Sequence, residues 1–101
     1  MSAYIIFNNR ITDPAGMAEY IPKAIETLAP YGTEILVLEE QAQVLEGTPE
    51  HPRMVVLKFR SRDDAEAWYN SAEYSAVRPL RLAATEGVGL LVDHWEPPPA
   101  S

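Results

Sequence analysis

Residues 54–59, "MVVLKF", are apolar at both alternations of an extended chain, Met54 and Val56 on one side and Val55 and Leu57 on the other. An antiparallel strand with one solvated face shows polar residues at every second position, so a strand of this kind needs cover on both sides. The same pattern recurs three times. Tyr4 and Ile6 alternate with Ile5 and Phe7, Ile35 and Val37 with Leu36 and Leu38, and Leu90 and Val92 with Leu91. Four strands are expected, at residues 4–9, 34–38, 54–59 and 88–94, the first of them ended by "NNR".

Helical periodicity fills the intervals. Asp13 offers a side-chain cap, and Pro14 sits in the first turn, where a helix tolerates proline best. Met17, Tyr20, Ile21, Ala24, Ile25 and Leu28 then recur at three- and four-residue spacing, one apolar stripe on a helix that ends near Gly32. In the second half, Ser61 followed by Asp64 resembles a capping box, and Ala65, Trp68, Tyr69 and Ala72 keep helical spacing. A further helical stretch, with Tyr74, Val77, Leu80 and Ala84 inward, runs to a stop at Gly87. The intervening "EEQAQVLEGTPEHPR" mixes charge, Gly and Pro and reads as a connection, with "QVLEG" a short extra strand at a sheet edge. The tail "EPPPAS" cannot continue a sheet; residues 97–101 are expected to be a flexible end to one domain spanning residues 1–96.

Strand, helix, strand, strand, helix, strand is the split βαβ order of an α+β, ferredoxin-like domain with a four-stranded antiparallel sheet. Both crossovers are expected to be right-handed, which puts both helices on one face. The other face is then bare yet apolar, and the chain has no spare element to cover it. A second copy is the expected cover, giving a homodimer through the open sheet face.

Composition bounds the function. The chain has 101 residues, 47% hydrophobic and 23% charged, as an ordinary globular domain does. Without cysteine it has no thiolate chemistry and no disulfide, and a reducing cytoplasm fits. The start of the chain does not read as a secretory signal, and no apolar run reaches the ~20 residues that span a bilayer, so no membrane partner is expected. A net charge of −7, with eight basic residues spread along the chain, opposes nucleic acid.

Few residues advertise chemistry. In "WYNSAEY", Trp68 lies on the stripe with Ala65 and reads as a core anchor, while Asn70 and Ser71 suit a helix end and a new start. Tyr69 and Tyr74 flank that break and read either as core or as walls of a cavity, their phenols needing partners. Arg78 and Arg81, three apart, read either as a solvated face paired to Glu73 or Glu86 or as converging on an anion. Pro22 and Pro79 each remove a donor inside a helix. His94, in alternation with Val92 and Leu90, is the candidate for proton transfer near neutral pH, against the reading of a histidine at the sheet rim. A ligand pocket is expected between the second helical segment and the sheet, lined by Tyr69 and Tyr74, with Arg81 supplying charge. The acid pairs Glu39–Glu40 and Asp63–Asp64, and the loop histidine His51, show no spacing that argues for a metal. No phosphate-binding Gly-rich loop and no nucleophile elbow is present.

The segments "VLEG", "RMVVLKF" and "AEAWYNSAEYSAVRPLR" closely resemble the family called domain of unknown function 1330, of the dimeric α/β-barrel superfamily, over residues 4–94. The most specific piece is "WYNSAEY" followed by "RPLR". The resemblance implies a ferredoxin-like subunit whose sheet packs against its twin, and it supplies no activity. The superfamily includes cofactor-independent monooxygenases and isomerases acting on small, often aromatic or unsaturated substrates held between helices and sheet. It thus implies a small organic ligand and no cofactor; a non-catalytic dimeric module that binds a metabolite is the alternative. Two departures stand out. Ala72 replaces a frequent proline, and Glu39 and Glu40 stand where relatives often carry small or basic residues.

Overall fold

The computed structural model of the chain describes residues 1–99. Its elements are β1 (Ala3–Ile11), α1 (Pro14–Leu28), β2 (Glu34–Glu39), β3 (Arg53–Phe59), α2 (Arg62–Tyr69), α3 (Ala72–Ala84) and β4 (Thr85–Asp93). All neighbouring strands are antiparallel and lie in the order β2-β3-β1-β4, the ferredoxin-like arrangement read from the sequence.

Each helix starts where its cap predicts. The Asp13 carboxylate accepts from the Gly16 amide at 3.2 Å, and the Ser61 hydroxyl from the Asp64 amide at 3.1 Å. The second half of the expected capping box is diverted, because the Asp64 carboxylate accepts from Arg60 Nε instead. A 3-10 turn, Ala29–Tyr31, follows α1, and Gly32 at φ 59° closes it in the left-handed region that glycine enters freely.

The helices cover one face of the sheet. Ala3, Ile5, Phe7 and Asn9 of β1 and Arg53, Val55, Leu57 and Phe59 of β3 are buried beneath them. Trp68 anchors this layer as its spacing predicts. Its ring lies 3.9 Å from that of Tyr74 and 5.5 Å from that of Phe59, and its Nε1 donates to Thr27 Oγ1 at 2.9 Å. The indole is therefore buried with its single donor satisfied.

Four expectations need correction. The segment "NNR" does not end β1, because Asn8, Asn9 and Arg10 continue to pair with Val88, Gly87 and Glu86. Gly87 does not stop α3, which ends at Ala84, where the Ala84 carbonyl accepts from the Thr12 amide at 2.8 Å. Gly87 lies inside β4 at φ 150°, where a Cβ would stand 2.2 Å from the Asn8 carbonyl oxygen. It is glycine because two backbones meet there, not because a helix ends. The third correction concerns β2. A register shift between Ile35 and Val37 pairs Ile35 with Leu57 on the helix side and Val37 with Val56 on the open side, so the two residues do not share a face. Finally, "QVLEG" forms no strand; Ala42 donates to the Pro52 carbonyl at 2.8 Å to close the connection, and Leu45 is 89% exposed.

The open face carries Tyr4, Ile6, Val37, Met54, Val56, Val88, Leu90 and Val92. Of these, Val37, Val88, Leu90 and Val92 are exposed. No helix among the described residues is long and apolar enough to cross a membrane.

Candidate functional site

The break between α2 and α3 builds the site's frame. Asn70 ends α2, its side chain donating to the Glu66 carbonyl at 3.0 Å, and Ser71 caps α3, its hydroxyl accepting from the Tyr74 amide at 3.1 Å. The turn sets Tyr69 and Tyr74 against one another, ring centroids 5.7 Å apart. Arg78 then reaches back, donating to the Tyr69 carbonyl at 3.0 Å while its guanidinium lies 4.7 Å from the Tyr69 ring centre.

Arg81, one turn on, is only 7% exposed. Its Nε donates to the Tyr74 hydroxyl at 3.1 Å, and that hydroxyl is 2.7 Å from the Tyr20 hydroxyl on α1. Its guanidinium carbon lies 4.4 Å from the centre of the Phe7 ring. That ring has room because Gly89 stands opposite it in the sheet, where a Cβ would come within 3.0 Å of Phe7 Cε1. Burial opposes the charge on Arg81, but the Tyr74 and Tyr20 oxygens more than offset it, and its pKa lies above the ordinary value. Burial, and then Tyr74 beside it, pushes Tyr20 far above the usual phenol range, so the Tyr20 hydroxyl stays protonated. Among the described residues no carboxylate lies within 4.0 Å of the Arg81 guanidinium; Glu86, a sequence candidate for pairing, binds Arg10.

Two clefts open on either side of Arg81. One, of about 320 Å³, lies between α2, α3 and β4 and is lined by Glu66, Tyr69, Asn70, Arg81, Leu82 and the two glycines Gly87 and Gly89. It exists because the two glycines put no side chain on its floor. The other, of about 60 Å³, lies beneath α1 and is lined by apolar groups together with Tyr20, Asn9, Arg53 and Arg81.

Tyr69, Tyr74 and Arg81 therefore come together as their spacing suggests, with one difference. Tyr69 and Arg81 line the larger cleft, whereas Tyr74 is fully buried behind Arg81 and holds it in place. His94 does not join them. It follows Asp93, which pairs with the inward-facing Ala3, so its side chain lies on the open face, where Nδ1 is 2.6 Å from the Tyr4 hydroxyl. Strand alternation puts the sheet between His94 and Arg81. The sequence reading missed Tyr20, Asn9 and Arg53. Tyr20 was visible only as a member of an apolar stripe, Asn9 only as the last residue of its expected strand, and Arg53, which pairs opposite Asn9, lay one residue before the expected start of its own.

Solved structures share this fold. A protein of unknown function, RPA0582 from Rhodopseudomonas palustris, is 12% identical with a TM-score of 0.78 over 95% of this chain and 84% of its own. A dimeric ferredoxin-like protein of unknown function from Thermobifida fusca is 15% identical with a TM-score of 0.61, over 93% of this chain and 92% of its own. SnoaB, a cofactor-independent oxygenase from Streptomyces nogalater, is 10% identical with a TM-score of 0.59, over 98% of this chain and 96% of its own. At these identities the likeness is one of fold. No curated protein gives a significant match. The family model described as "Domain of unknown function (DUF1330)" matches residues 2–95, which is nearly all of the chain, and the chain belongs to that family.

Proposed function

We propose that two copies of this chain pair through their open sheet faces, and that each binds a small anionic or enolic organic molecule in the cleft between α2, α3 and β4. The single observation that carries the ligand reading is Arg81. A buried guanidinium with no carboxylate partner among the described residues is costly unless something else compensates it. Two phenol oxygens meet part of that need, and the face of Arg81 toward the larger cleft is left for a ligand oxygen. Tyr69 supplies an aromatic wall and Asn70 a further polar group at the rim. The exposed apolar residues of the open face support the pairing, as does the description of one structural neighbour as dimeric.

Binding is better supported than catalysis. Tyr74 is consumed in the core and His94 faces away, so the cleft has the Arg81 cation and the Tyr69 phenol, and its one carboxylate among the described residues, Glu66, is exposed to solvent. A cofactor-independent monooxygenase or isomerase is the second reading, favoured by the fold shared with SnoaB and by the ability of a fixed guanidinium to stabilise an enolate as it forms. The non-catalytic module needs only the first property.

A thermal-shift screen of small carboxylates, phenols and lactones tests the proposal. A stabilising compound is expected, and its effect should vanish in Arg81→Ala and in Leu82→Trp, which fills the cleft from an exposed position without touching the core. Binding that survives both substitutions would contradict the site. For the second reading, oxygen uptake or a changed product mass on aerobic incubation with the bound compound separates an enzyme from a module.

A further inference from the structure

The smaller cleft beneath α1 has its own polar end, independent of the ligand proposed above. Asn9 is 2% exposed, and its Nδ2 is buried without any hydrogen-bond partner. Its Oδ1 accepts from Arg53 Nη1 at 3.4 Å, which fixes the amide orientation and leaves the unsatisfied donor as a real one. Such a donor, stripped of water and left without an acceptor, destabilises the fold until something meets it. Arg53 beside it has a side chain only 5% exposed, yet its carboxylate partner Glu40, at 3.1 Å from Nε, is 60% exposed. A buried cation is thus neutralised by an acid at the edge of solvent, on the residue that follows β2. Apart from Tyr20 and Arg81 the rest of the cleft is apolar: Met17, Ile21, Ala24 and Leu28 line it, together with Ile25 and Ile35, both near half-exposed.

We infer that this cleft is a second binding site, for the carboxylate of a short aliphatic acid, and that the Glu40 carboxylate occupies the place the ligand's carboxylate takes. Arg53 offers a fork that matches a carboxylate and Asn9 the donor that now lacks an acceptor. The exchange conserves charge, because Glu40 returns to water as the ligand's carboxylate arrives. A dianionic phosphate would instead bring excess negative charge into an apolar cleft. A free volume of about 60 Å³ corresponds to roughly four waters, which suits a short alkyl chain that continues outward between Ile25 and Ile35. Arg81 lines the inner end and adds positive potential.

Calorimetric titration with hexanoate tests this in the full chain, with inorganic phosphate and hexanamide as controls. Glu40→Gln removes the internal competitor from an exposed position, so hexanoate should bind about tenfold more tightly than to the unsubstituted protein. That gain should be lost in Glu40→Gln combined with Arg53→Gln, and in Asn9→Asp, which keeps the shape and repels the anion. Circular dichroism melts establish that each variant is folded. Hexanamide and phosphate should bind at least about tenfold more weakly than hexanoate. Absence of hexanoate binding to the Glu40→Gln protein would overturn the inference, as would affinity unchanged by Glu40→Gln or phosphate binding as tightly as hexanoate. Leu82→Trp separates the two sites: it should leave hexanoate binding intact while abolishing binding in the larger cleft. Hexanoate binding lost in Leu82→Trp would overturn the placement beneath α1.

Discussion

Trp68, Arg81 and Tyr20 show how far a single residue can be read. Trp68 was legible because its spacing put it on an apolar stripe, and the structure fills its surroundings with Phe59, Tyr74 and Tyr69 rings. Trp68→Ala should cost about 3–5 kcal/mol of stability, since no neighbour can collapse into so large a gap; a denaturant titration measures it, and a loss under about 1 kcal/mol would contradict its anchoring role. Arg81 left two readings open, because spacing of three to Arg78 suits an exposed pair as well as an inward one. Its burial depends on partners from α1 and β1, Tyr20 and Phe7, that no local pattern reveals. Tyr20 carries a pH prediction. Its folded pKa is raised, so the folded chain keeps a proton that the unfolded chain releases above about pH 10, and this contribution to stability is present below that pH and fades as pH rises beyond it. Tyr20→Phe should flatten the alkaline fall in melting temperature while lowering stability near neutrality by about 1 kcal/mol through the lost hydrogen bond to Tyr74. An alkaline limb as steep as before would contradict the assignment.

Elements were legible where the local code and the tertiary demand agreed. Asp13, Pro14, Ser61 and Ser71 place helix starts within the chain because capping is a local matter. Strand ends were not local. "NNR" looks like a turn, but β4 extends to meet it, and Gly87 looks like a helix stop until the Asn8 backbone is seen packed against it. Gly87→Ala should therefore destabilise by about 3 kcal/mol, through both the clash and the positive φ. A helix stop would tolerate alanine far better, so a melting curve within a degree or two of the unsubstituted protein would contradict this reading. The bulge in β2 was equally hidden, since Ile35, Leu36, Val37 and Leu38 are all apolar and give no mark of which residue is extra. The candidate site inherits these limits. Its α3 half could be read from helical spacing, and its α1 and sheet half, Tyr20, Asn9 and Arg53, could not.

At the level of the whole molecule, the sheet divides the work between its faces. The helix face holds the core and both clefts, while the open face presents half-buried Ile6, Met54 and Val56 and exposed Leu90, with no helix over them in a single copy. That two-sided apolarity was the strongest signal in the sequence, because alternation survives errors in strand bounds that helix–strand contacts do not. In the proposed dimer a second copy over this face would set His94 and Tyr4, which share a hydrogen bond on the open face, at the end of the interface rather than in a cleft. An interface of ordinary size buries about 800 Å² on each partner, and at ~25 cal/mol per Å² of apolar area that is ample to hold a dimer together. Val56→Lys, which sets a charge in the middle of that face, should dissociate it. The most direct measurement is the mass of the unsubstituted chain in solution at micromolar concentration, by light scattering or sedimentation equilibrium. The expected result is twice the 11.3 kDa of one copy, and a single species of 11.3 kDa would contradict the account.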